Sequence, residues 1–139
     1  MTFEELNEKL PNGFHDAEIR QISVDFVNCS IMLSMNLHVG LVGDPDRERY
    51  RAGTVKIMSF YLFFIEPPDP HYHFVPDGSP INASGNSVKM GQNARVDHLL
   101  TVLPPNATPY LFFLDDWNSC LYLAGASVEF FWDDGEALP

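Results

Sequence analysis

The stretch Asp69-Pro70-His71-Tyr72-His73 puts one carboxylate and two imidazoles on a short run of chain. Histidines at i and i+2 of an extended segment point the same way, and with a nearby carboxylate they form a donor set that zinc accepts. A closed site needs a further ligand, and no residue is set at a fixed spacing to supply it. His38 or His98 would have to be delivered by the fold. Asp69, His71 and His73 are therefore the candidate metal ligands, weighed against a polar loop carrying two solvated rings.

Carboxylates form the second pattern. Asp115-Asp116-Trp117 lies in a polar turn between two apolar runs, and Asp133-Asp134 follows the second run. If both pairs meet at one end of the closing hairpin, they make a cluster that attracts a divalent cation or a basic protein surface. Trp117 beside them is a residue type that anchors interfaces. Asp115, Asp116, Trp117, Asp133 and Asp134 are the predicted partner-binding residues. The plainer reading is of turn residues that keep strand ends soluble.

Other candidates are weaker. His15 and Asp16 are adjacent, and as strand residues they would point to opposite faces and not touch. Asp16 is expected to accept backbone N–H groups at the turn. Arg47, Arg49 and Arg51 alternate and so share a side of an extended segment, with Asp44, Asp46 and Glu48 as the expected partners. Cys29 has no basic neighbour, and Ser119-Cys120 lacks the strand–turn–helix setting of a nucleophile elbow. No catalytic residue and no cofactor motif emerges, so the expectation is a protein that binds rather than catalyses.

Charge points the same way. The 139-residue chain has a net charge of −11, of which residues 1–65 carry −3 and residues 66–139 carry −8. Such a field repels nucleic acid, whose binding needs Lys and Arg against phosphates, and attracts a basic protein. Two cysteines without a Cys-x-x-Cys spacing suit a reducing compartment. Met1 to Leu10 is acidic and lacks an apolar signal core, and the longest apolar run, Met58 to Ile65, is too short to span a bilayer. The expected location is the cytoplasm, with no membrane partner.

These residues must be positioned by β-strands. From Ile31 to Val39 the odd positions Ile31, Leu33, Met35, Leu37 and Val39 are apolar, the period of a half-buried strand. A first strand is predicted over His15–Phe26. The step from Ala17 and Ile19 to Ile22, Val24 and Phe26 changes parity and predicts a β-bulge near Arg20-Gln21. Gly53 to Ile65 is apolar on both faces and so must be covered on both. Tyr110–Leu114 and Leu121–Trp132 read as a closing pair, with Ala124, Ala126, Val128, Phe130 and Trp132 on one face. Thr2 and Glu5 form a capping box for a helix over Phe3–Leu10. Val96, Leu99, Leu100 and Leu103 have helical spacing behind Asn93, although a strand reading of the same residues stays open. Residues 67–93 read as a long loop with a short strand near Ser87–Met90, and Asp133–Glu136 as a solvated tail.

The run Gly13-Phe14-His15-Asp16-Ala17-Glu18-Ile19, the alternating Ile31–Val39 strand and the closing Cys120-Leu121-Tyr122-Leu123-Ala124-Gly125-Ala126-Ser127-Val128 resemble a broad group of small bacterial proteins with a His-Asp-Ala lead into a β-hairpin. Some of that group are assigned as immunity proteins of toxin systems. The resemblance spans about the first 40 and last 25 residues and brings no catalytic residues with it.

The expectation is one α+β domain over residues 1–139: a twisted, mostly antiparallel sheet of about five to seven strands with a short N-terminal helix, curling toward a partly closed barrel. The expected function is an acidic binding protein, of the immunity type, for a basic protein partner. The alternatives are a small metal-assisted enzyme or ligand-binding barrel using residues 69–73, and a self-associating structural subunit.

Overall fold

A computed structural model describes residues 1–138. Helix α1 (Phe3–Lys9) leads into β1 (Ala17–Asp25), β2 (Ser30–His38), β3 (Tyr50–Ile65) and β4 (Ile81–Ser87). Helix α2 (Ala94–Thr101), β5 (Thr108–Leu114), a single 3-10 turn (Asp115–Trp117) and β6 (Ser119–Trp132) follow. The six strands are paired antiparallel and close into a barrel in the order β1-β2-β3-β6-β5-β4. The chain is thus an α+β protein built on a closed antiparallel barrel.

Closure follows from the registers. Ser119 pairs with Leu114, Leu114 with Ala83 and Ala83 with Ala17; beside it Glu18 pairs with Asn36, Asn36 with Ala52, and the next residue, Gly53, with Trp132. One circuit therefore returns to the far end of β6, the mark of steeply tilted strands.

The alternation in β2 is the simplest link from sequence to core. Ile31, Leu33, Met35 and Leu37 are fully buried inside the barrel. The register between β1 and β2 shifts between Ile19 and Gln21, so the bulge lies where the parity step predicts it. It turns Ile22 and Val24 back toward the core that Ala17 and Ile19 already line. The strand is shorter than predicted. His15 and Asp16 belong to the preceding turn, and Phe26 is 83% exposed in the hairpin loop. There Asp25 accepts the backbone N–H groups of Val27 and Asn28 at 3.0 Å each, which closes the turn in place of a ladder.

Helix α1 has both halves of its capping box: Glu5 N–H donates to Thr2 Oγ1, and Thr2 N–H donates to the Glu5 carboxylate. Its stripe of Phe3, Leu6 and Leu10 is buried with Phe14, Tyr110 and Phe112. The Phe3 and Tyr110 rings stack with centroids 4.7 Å apart, and Phe14 meets Phe112 edge-on at 5.2 Å. Each fully buried large side chain contributes roughly 1.5–3 kcal/mol over its exposed state. The N-terminus is pinned as well. Met1 exchanges backbone hydrogen bonds with Val128, on a part of β6 that β5 does not reach.

A second, smaller core lies outside the barrel. Val96, Leu99, Leu100 and Leu103 cover Leu62, Phe64, Tyr122 and Ala124. The 94–101 segment is a helix, and Asn93 caps it by accepting from Arg95 and Val96 N–H. This explains the doubly apolar β3, with a correction to its faces. Ser59 takes a left-handed φ of 50° and the register to β6 shifts between Phe60 and Leu62. Val55 and Ile57 therefore face the barrel core and Leu62 and Phe64 the helix, while Tyr61 and Phe63 are partly exposed on the other face. Strand β6 changes face at the same level. Val128, Phe130 and Trp132 belong to the barrel core, but Ala124 lies under α2 and the inward residues become Leu121 and Leu123. Gly125 sits at that crossing, where a Cβ would come within 2.4 Å of Ile57.

The loop 67–93 also differs from expectation. Its strand is Ile81–Ser87, not Ser87–Met90, and it closes the barrel by pairing with both β1 and β5.

Candidate functional site

The turn before β1 is built by side chains that replace a backbone ladder. Asn12 donates to the carbonyls of His38 and Gly40 at 3.0 and 2.8 Å, and Asn7 accepts from Phe14 N–H at 2.9 Å. Gly13 has a φ of +56°, and a Cβ there would run into the Asn7 amide. The turn ends with Asp16 in the left-handed region at φ 51°. That conformation brings His15 Nδ1 to 2.8 Å from Asp16 Oδ2, so the two side chains do touch, contrary to the strand-based expectation. The pair is 77% and 61% exposed, and among the described residues no Ser or Cys side chain is hydrogen-bonded to His15. Without a neighbouring nucleophile or a desolvated cleft, this pair is a surface contact and not a catalytic one.

Asp16 lies on the wall of a pocket of about 660 Å³ that also takes in His38, Arg47, Glu48, Tyr50, Asn82 and Asp115. A second pocket, of about 510 Å³, holds Glu18, His73, Asp77 and Asp116, and Asn82 lines both. Asn82 N–H donates to Asp116 Oδ2 at 3.0 Å, so β4 aims the aspartate turn at the two hollows. Burial raises the Asp115 carboxyl above its ordinary value, with the Asp116 and Asp16 charges adding to the shift. Burial, then Glu18, Glu48 and Asp16, raises the Tyr50 phenol. Burial is the main cause of both shifts, and the neighbouring carboxylate charges add to it in the same direction.

The four predicted aspartates do not form one cluster. Asp133 is held by Arg20 at 2.8 Å and by Thr54 Oγ1 at 3.1 Å. Asp134 takes a forked pair of bonds from Arg51, which also reaches Glu136 at 2.6 Å and lies 4.3 Å above the centre of the Trp132 ring. The segment read as a solvated tail is therefore an ion-paired strap, and Leu138 beyond it packs on the core. Arg51 finds its partners there and not in Asp44, Asp46 or Glu48. Asp115 and Asp116 make no salt bridge among the described residues.

Trp117 packs partly on the barrel core and lies 6.5 Å from Phe74, centroid to centroid. Its indole nitrogen is buried without a hydrogen-bond partner. Leaving such a donor unpaired costs about 1–3 kcal/mol. It lines a third, mostly apolar groove of about 510 Å³ with Ile19, Ile22, Phe74 and Ile81.

The predicted metal ligands do not assemble. Asp69 accepts His71 N–H at 2.9 Å and the Asn118 amide at 2.8 Å, which together hold its carboxyl below the usual range. These bonds tie the loop to the aspartate turn, while His73 lines the second acidic pocket. Among the described residues no group of three or more His, Cys, Asp or Glu is placed to hold a metal. Cys29 is exposed in its turn, and burial followed by the Glu66 charge raises the Cys120 thiol, which favours its unreactive form.

Of the residues singled out in the sequence as partner-binding, Asp115, Asp116 and Trp117 border these hollows; the sequence did not place Asp16, Glu18 and Glu48 beside them. Local spacing links Asp16 to Glu18 but neither to Glu48 nor to Asp115 and Asp116, which lie beside them only because the barrel closes. Comparison with known families, with curated proteins and with solved structures finds no match. No helix is long and apolar enough to cross a membrane among the described residues.

Proposed function

We propose that this protein is a non-catalytic binding protein that covers a basic surface of a protein partner, in the manner of an immunity-type inhibitor. The observation that carries the reading is the convergence of Asp16, Glu18, Glu48, Asp115 and Asp116 on two adjoining pockets. Among the described lining residues Arg47 is the one arginine or lysine set against them. Five carboxylates facing a single arginine keep most of their field for a partner, raising encounter rates and selecting its sign. Trp117 beside them supplies an aromatic anchor of the kind that concentrates binding energy. The resemblance of the His15-Asp16-Ala17 lead to proteins of toxin–immunity systems supports a toxin as that partner.

The test is titration of the protein with an oligo-arginine peptide, followed by tryptophan fluorescence and repeated at rising salt. The expected result is binding that weakens with ionic strength and falls about tenfold in Asp115→Asn/Asp116→Asn, since a tenfold loss corresponds to removing about 1.4 kcal/mol of attraction. Equal affinity in the double variant removes this surface from the reading.

A further inference from the structure

The barrel is closed by a short seam. The β1–β4 ladder has three pairs, Ala17↔Ala83, Glu18↔Asn82 and Ile19↔Ile81, and ends there. Strand β1 continues to Asp25, paired with β2 on one side only. From Arg20 to Asp25 its other edge forms no ladder with any described strand, and no loop of the described chain hydrogen-bonds to that backbone. The segment that would continue β4 along it contains Pro76, Gly78 and Pro80. Proline offers no N–H, and Gly78 has a φ of +85°, so residues 76–80 turn away instead of extending the ladder. Asp77 closes the turn by accepting Ser79 N–H at 2.9 Å.

What lies between β1 and this diverging segment is the apolar groove of about 510 Å³, floored by Ile19, Ile22, Ile81, Phe74 and Trp117. A strand edge beside an apolar trough is the arrangement that accepts an added strand: backbone bonds along the edge, alternate side chains into the trough. We propose that an extended segment of the partner protein, alternating basic and apolar residues, adds to β1 along Gln21–Asp25. The proposal deepens the binding function above and rests on that reading.

Charge selects this occupant over a second copy of the chain. Phe74, Asp77, Ser79 and Pro80 are shared walls between the apolar groove and the acidic pocket holding Glu18 and Asp116. A strand in the groove therefore presents its outward side chains to carboxylates. Arg20, the cation lining the groove, is already paired with Asp133. A second copy, with a net charge of −11, would bring like charge against like.

The experiment uses the whole chain and a short peptide alternating lysine and valine, with two controls: the same peptide N-methylated at alternate backbone amides, and a glutamate–valine peptide. Amide exchange is read at Gln21–Asp25. The proposal expects slowed exchange there on adding the lysine–valine peptide, about tenfold weaker binding of the N-methylated form, and no binding of the acidic one. Ser79→Trp, on an exposed loop, should fill the groove and weaken the lysine–valine peptide similarly. If that peptide binds, weakens in Asp115→Asn/Asp116→Asn, but tolerates N-methylation and Ser79→Trp, strand addition is wrong while the acidic surface stands. Binding of no peptide overturns both. A dimer on sizing chromatography that Ser79→Trp disperses overturns this occupant in favour of a second copy.

Discussion

Two pairs of adjacent aspartates bracket β6, and the fold treats them oppositely. Asp133 and Asp134 are met by Arg20 and Arg51, cations far away in sequence that barrel closure delivers. Asp115 and Asp116 make no salt bridge among the described residues, and the Asp16 charge acts on Asp115. The residue types are the same and the turn contexts similar. What differs is the charge on the neighbouring strands, and that decides whether an acidic pair fastens the chain or faces outward as a binding surface.

The largest effect comes from breaking what both pairs depend on. Phe112 is fully buried at the centre of the ring cluster that α1 closes. Phe112→Ala should cost about 3–5 kcal/mol in urea unfolding, with both tryptophan fluorescence and far-UV dichroism reporting one transition. A loss under 1 kcal/mol would mean that this end of the barrel carries little of the stability.

Next in size is the contrast in binding. Asp133→Asn/Asp134→Asn should leave oligo-arginine affinity within about twofold, against the tenfold loss at the other pair, because these charges are already spent internally. Equal losses from both double variants would erase the distinction between the pairs.

The smallest effect is in pH dependence, and there the signs oppose. Arg51 first, then the Glu136 N–H, holds Asp134 below its ordinary 3.8. The stability from such a depressed group is present above the unfolded value and is lost as pH falls through the folded one. Asp115 is raised above 3.8, so it favours the folded state below the unfolded value and gives up that contribution as pH climbs through the folded one. Thermal unfolding from pH 2 to 7 should therefore show Asp134→Asn with a lower Tm at neutral pH and a flatter acid limb, and Asp115→Asn with a higher Tm at neutral pH. Shifts of the same sign would show that the two carboxylates share one environment. Arg51→Ala should flatten the acid limb in the same way and lower the neutral Tm further, because it also removes the Glu136 pair and the contact with Trp132.

The fold was largely legible because its signals are local. The parity of Ile31 to Leu37, the step from Ile19 to Ile22 and the Thr2–Glu5 cap each fit within one element, and each appears in the structure. The misplaced features depend on partners far along the chain. Strand Ile81–Ser87 is nearly without apolar alternation, and it exists because β1 and β5 supply a ladder on both edges. The face exchange in β3 and β6 is set by their mutual register at Ser59 and Gly125. Of the site, the Asp115-Asp116-Trp117 turn was visible as composition. Asp16 was assigned to a strand face, although its left-handed turn conformation frees it to reach His15.

Side-chain period and capping chemistry, which act over a few residues, were enough by themselves to specify an antiparallel β protein with a helix at its N-terminus and an acidic surface. Which carboxylates are neutralised, which edge of β1 is left without a partner and which hollows they border were decided only by barrel closure. The reason is that charge pairing and edge pairing depend on distance in space, and the steep strand tilt sets residues beside one another that lie far apart along the chain.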